Sequence, residues 1–169
     1  MKQNGDKMIK KPLREVDTVE YMNTLCSIIE QGKGVSTVVT GSSMAPFLIS
    51  NKSWVYLEKP EHKLSVGDIA LYVRSNVDFI LHRVYRVDGD DLYFLGDAQS
   101  VVEGPVPYSS VKGVVTKYKR RGKWHESTTL VWLFYSRIWI RTRVLRPFFM
   151  KIHFALKRLI RKIKYRFIK

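Results

Sequence analysis

The stretch DFILHRVYRVDGDDLYFLG, residues 78–96, constrains the fold of this chain more than any other. Residues 78–87 form a long apolar run with polar side chains interleaved, DGDD (88–91) follows, and LYFLG (92–96) returns. In a strand successive side chains point to opposite faces, and Asp-Gly suits a tight reversal, so the stretch predicts a β-hairpin. VSTVVT (35–40), SWVYLEK (53–59), GDIALYVR (67–74) and VKGVVTKYKR (111–120) read as further strands joined by short connections. In REVDTVEYMNTLCSIIEQ (14–31), Val16, Val19, Leu25, Ile28 and Ile29 recur at helical spacing, with Gly32 as a stop. The expected fold is mainly β, a coiled sheet or partly open barrel with one N-terminal helix.

Charge divides the chain differently. The net charge is +15, yet residues 129–169 hold twelve Lys or Arg and no Asp or Glu, which leaves +3 on residues 1–128. Three regions follow: an N-terminal segment (1–33), a β body (34–128) and a basic aromatic tail (129–169). LVWLFYSRIWI (130–140) is interrupted by Arg137 and falls short of the roughly 20 residues that span a bilayer. It reads either as part of the tail or as a core helix on the body. Farther on, Leu145, Phe148, Phe149, Ile152, Leu156, Leu159, Ile160, Ile163 and Phe167 fall in one helical stripe. Lys151, Lys157, Arg158, Arg161, Lys162 and Lys164 lie mostly opposite, and Pro147 suits a first helical turn. Such an amphipathic C-terminal helix is expected to lie in an anionic membrane surface. Nucleic acid is not an expected partner, because a phosphate backbone gives large apolar side chains nothing to bury against.

The opening MKQNGDKMIKKPLREVD is polar throughout and does not read as a secretory signal. The expected localisation is therefore peripheral, through the tail, on the cytoplasmic face of a membrane. The single cysteine, Cys26, excludes an internal disulfide and a cysteine-rich zinc site. No His or Cys pair has ligand spacing, so neither metal nor other cofactor is expected.

GSSMAPFL (41–48) places two serines where the chain leaves an apolar run. They suit a helix N-cap. Either also suits a nucleophile, which needs a base titrating near working pH. Of the four histidines, His62 and His125 sit in polar loops and His153 in the basic tail. Only His82 lies within an apolar strand, on one face with Ile80, Val84 and Arg86, while Phe79, Leu81, Arg83 and Tyr85 take the other. It is either a buried histidine with a satisfied hydrogen bond or that base.

GSSMAPFL, VGDIALY, ILHRVYRV and LGDAQ, in that order, resemble the box set of the signal peptidase I superfamily, which also includes LexA-like proteins. The likeness spans residues 34–115, and LHRV is similar to the Ser-His branch, the archaeal and endoplasmic-reticulum type. It implies a signal-peptidase-like coiled sheet and a serine endopeptidase that cleaves a signal, leader or precursor peptide after small residues. By the same likeness Ser43, directly before Met44, is the nucleophile and its N–H an oxyanion donor. Ser42 and Met44 flank it in the oxyanion and substrate pocket. His82 is the base, and Asp97 (in the fourth box) or Glu103 (six residues on) orients it. Gly41 stands where bacterial members carry a serine that supplies a second oxyanion donor. Asp68 shapes its turn.

Two other functions compete with this one. A LexA-like self-cleaving regulator needs a cleavable Ala-Gly or Cys-Gly bond, and neither dipeptide occurs. A non-enzymatic basic protein would use only the tail, on membrane or nucleic acid.

Overall fold

The computed structural model describes residues 18–75 and 78–146, together with Phe148, Lys151, Ile152 and Arg158. The start of the expected N-terminal helix and most of the stripe expected over 145–167 lie outside the described residues. Eight strands form one antiparallel sheet: β1 (Val35–Val38), β2 (Trp54–Glu58), β3 (Ile69–Arg74), β4 (Asp78–Asp88), β5 (Asp91–Leu95), β6 (Glu103–Pro107), β7 (Val111–Arg120) and β8 (Lys123–Glu126). Their order is β1-β2-β7-β3-β4-β5-β6, with β8 also paired to β7, so the sheet is open and does not close into a barrel.

Alternation and turn chemistry explain the β4–β5 hairpin. Asp88 pairs with Asp91 across Gly89 and Asp90, and Arg83 pairs with Leu95 farther up. The ladders shift between Tyr56 and Leu57, Val84 and Arg86, and Leu92 and Phe94. Such bulges add twist and bend their strands. The coiled sheet encloses two apolar cores, one on each face. The first holds Leu25 and Ile29 of α1 (Thr18–Glu30), Met44, Phe47 and Leu48 of the serine turn, and Leu57, Ile69 and Leu71. The second holds Ala70, Tyr72, Val84, Leu92 and Phe94. Each fully buried Leu or Phe contributes roughly 1.5–3 kcal/mol.

Residues 130–145 continue from β8 as a helical segment of changing pitch: α2 (Leu130–Leu133), a wide π-type stretch (Phe134–Ile138) and a tight 3-10 stretch (Trp139–Leu145). Thr129 caps it, accepting from the Trp132 amide at 3.4 Å. Trp132, Tyr135 and Ile140 are buried, and the rings of Trp132 and Tyr135 lie 5.7 and 4.8 Å from that of Phe47. Of the two sequence readings for 130–140, the observed one is a core segment on the body. Position 129 is a charge boundary and not a packing boundary. Among the described residues no helix is long and apolar enough to cross a membrane.

Candidate active site

The serine turn is shaped by what it buries. Met44, Phe47 and Leu48 are fully buried, so the loop is pinned to the core from its second half. Its backbone folds in successive turns, Ala45 N–H to Ser42 C=O at 3.1 Å and Leu48 N–H to Met44 C=O at 2.9 Å. Neither serine caps a helix. Ser42 is exposed and Ser43 half-buried, and among the described residues the Ser43 hydroxyl has no hydrogen-bond partner. Its carbonyl is held by the fourth motif: Ala98 N–H donates to it at 2.7 Å. Gly96 makes that approach possible, because a Cβ there would stand 2.8 Å from the same carbonyl oxygen.

Ser43 and His82 line one groove of about 530 Å³, with Met22 of α1, Thr37 of β1, Leu71 of β3 and Ile80 of β4. His82 pairs with Ala70 in the ladder and is 5% exposed. Its Nδ1 lies 3.3 Å from Tyr72 Oη and 3.8 Å from a Glu103 carboxylate oxygen. Tyr72 donates its hydroxyl proton to that carboxylate at 2.8 Å. Its oxygen is thus free to accept only, which favours the proton on His82 Nδ1 and leaves Nε2 with a lone pair. Burial drives the imidazole below the ordinary histidine range; the negative charge of Glu103, then that of Asp97, opposes the shift. Tyr72 is pushed well above the ordinary phenol range, by burial first and then by its bond to Glu103, so it remains protonated. Arg74 donates to the other Glu103 oxygen at 3.2 Å.

Asp97 has a different partner. Arg83 donates Nε and Nη2 to its two carboxylate oxygens at 3.0 and 2.9 Å, and Nη1 to the Gly67 carbonyl at 2.8 Å. Both side chains are fully buried. The guanidinium sits 5.1 Å from the Phe47 ring centroid and 5.2 Å from that of Trp132. One residue thus ties the first, second and fourth motifs to the C-terminal segment. Of the two acids considered as orienters, Glu103 lies beside the histidine and Asp97 is engaged by Arg83. Asp68 accepts from the Ser65 amide at 2.8 Å and shapes its turn. Gly67, with φ +103°, presses against Ser136, where a Cβ would come within 2.7 Å of the serine Cβ.

The C-terminal segment also braces the fourth motif. Trp139 Nε1 donates to the Asp97 carbonyl at 2.7 Å. Arg146, 1% exposed, donates to the carbonyls of Gly96, Gln99 and Trp139 at 2.7, 2.9 and 2.9 Å. The turn that holds Ser43 is therefore itself held from 130–146.

Sequence reasoning brought Ser43, His82 and Glu103 to one region and missed Tyr72, Arg83 and Arg146. An arginine in mid-strand directly after His82 was the available signal for Arg83, since a buried guanidinium needs a carboxylate. Tyr72 and Arg146 carry no local mark. The chain matches no protein-family model and no curated protein.

Proposed function

We propose that the chain is a serine endopeptidase acting through Ser43 and His82 on an extended peptide laid in the shared groove. The observation that carries this reading is that both side chains line one groove. An unpartnered serine hydroxyl and a histidine whose inner nitrogen is already engaged line the same groove. Ser43 Oγ attacks the scissile carbonyl while His82 Nε2 takes its proton. The developing oxyanion meets the Ser43 amide. Collapse breaks the C–N bond, the departing amine takes the proton from His82, and an acyl ester remains on Ser43. Water then hydrolyses the ester with His82 again as base. Glu103 stabilises the transient imidazolium through Tyr72, the part a carboxylate plays in a triad.

Leader, signal or precursor peptides are the substrate class this reading favours, from the resemblance of the four motifs. The test is digestion of a diverse peptide mixture, read by mass spectrometry. Wild-type protein is expected to cut a defined set of bonds, and Ser43→Ala to lose them by a factor on the order of 10⁴ or more. Ser42→Ala is expected to keep most of the activity. Equal cutting by wild type and Ser43→Ala overturns the assignment.

A further inference from the structure

We infer that the outward face of residues 130–145 is a docking surface for an anionic lipid membrane. The two sides of this segment differ in character. Trp132, Tyr135, Ile140 and Arg146 point inward and are buried. Leu130 is 85% exposed, Ile138 57% and Leu145 55%, with Phe134 also open to solvent. Val131 and Val144 are exposed as well, so large apolar side chains form an open ridge along the segment. Arg137 and Arg141 are exposed on it, and among the described residues neither has a carboxylate partner. Exposed large apolar side chains grouped on one segment mark an interaction surface.

Charge decides which partner fits. No acidic residue follows Glu126, whereas residues 129–169 contain twelve cations. A ridge of large apolar side chains with exposed arginines among them matches a headgroup layer over acyl chains. Nucleic acid would meet the arginines but leave Leu130, Phe134 and Ile138 in water. A second copy of the chain would set cation against cation.

The inner face gives the docking its consequence. Trp139 and Arg146 hold the 96–99 turn, and that turn holds the Ser43 carbonyl. One helix diameter, about 10 Å, thus separates the lipid surface from the turn behind the serine.

The test is co-sedimentation of the full chain, without peptide, on vesicles of phosphatidylcholine alone and of phosphatidylcholine with phosphatidylglycerol. Binding is expected on the anionic vesicles and weakens with salt. Phe134→Asp with Ile138→Asp should reduce it about tenfold or more. Arg137→Glu with Arg141→Glu should reduce it about fivefold per residue and flatten the salt dependence. All four positions face solvent, and circular dichroism checks that each variant is folded. Undiminished vesicle binding by both folded variants overturns the inference, as does wild-type retention on RNA without vesicle binding, or self-association that buries the ridge. Because no cleavage is measured, these outcomes are separate from whether Ser43 is a nucleophile.

Discussion

His82 and Arg83 are neighbours in one strand and both are buried, yet their surroundings differ in a way that separates support from chemistry. Arg83 looks into a sealed pocket where Asp97 and the Gly67 carbonyl engage all three of its nitrogens and the Phe47 and Trp132 rings lie against it. Nothing is left to react. His82 looks the other way. One nitrogen is held by a tyrosine at 3.3 Å, and its carboxylate neighbour is shared with the exposed Arg74. The lesson is one of saturation. A buried group whose hydrogen bonds are all satisfied by fixed partners is a clamp. A buried group left partly satisfied beside a groove keeps a proton site available.

The contrast can be broken most sharply at His82. His82→Gln should lower kcat/KM on the order of 10⁴-fold or more while costing far less stability than any change at Arg83. If peptide cutting survives, the two residues are alike and the histidine is structural. Next is Arg83→Met, which leaves Asp97 buried and unpaired and should cost roughly 3–5 kcal/mol of unfolding free energy by urea titration. Adding Asp97→Leu should restore part of that loss. A double variant no better than the single would show that the pair is not a self-contained clamp.

Smaller effects sharpen the chemical side. On the peptidase reading, Glu103→Gln keeps the shape but removes the charge that would steady an imidazolium, and should slow cutting roughly thirty-fold, about 2 kcal/mol. It should also move the pH profile. In the wild type the base must be neutral, and burial lowers its proton affinity, so activity should fall in acid with a midpoint below the ordinary value of about 6.5. Glu103 opposes that lowering, so in Glu103→Gln the midpoint should move farther into acid. A midpoint moving toward neutral would reverse the sign of the Glu103 interaction. The smallest expected effect is Tyr72→Phe, which removes the acceptor for His82 Nδ1–H. About a tenfold loss is expected, together with a shift of the neutral tautomer toward Nε2–H, read by ¹⁵N chemical shifts. Unchanged tautomer populations would remove Tyr72 from the arrangement.

Much of this was written in local pattern. Alternation fixed β4, its hairpin to β5 and the opposite facing of His82 and Arg83, because a strand's side-chain period needs no distant partner. Helical spacing marked the described part of α1, and Ser43 and His82 stood out from their motifs. Two strands escaped. EGPVP in β6 carries two prolines and buries only Val106, and KWHE in β8 is short and polar. Each is a strand because a neighbouring strand offers its edge, which no local period reports. Pairing of charges escaped for the same reason. Asp97 and Glu103 look equally fit to orient a histidine when read along the chain. Only the folded sheet gives Asp97 to Arg83 and sets Glu103 beside Tyr72. Residues 130–146 show the division most fully. Their basic, aromatic composition was legible in the sequence, but it left a tail and a core helix as equal readings. That Trp132 and Arg146 turn inward to brace the serine while Leu130 and Ile138 turn outward was decided by the tertiary structure. A buried surface exists only once the sheet supplies the surface that buries it.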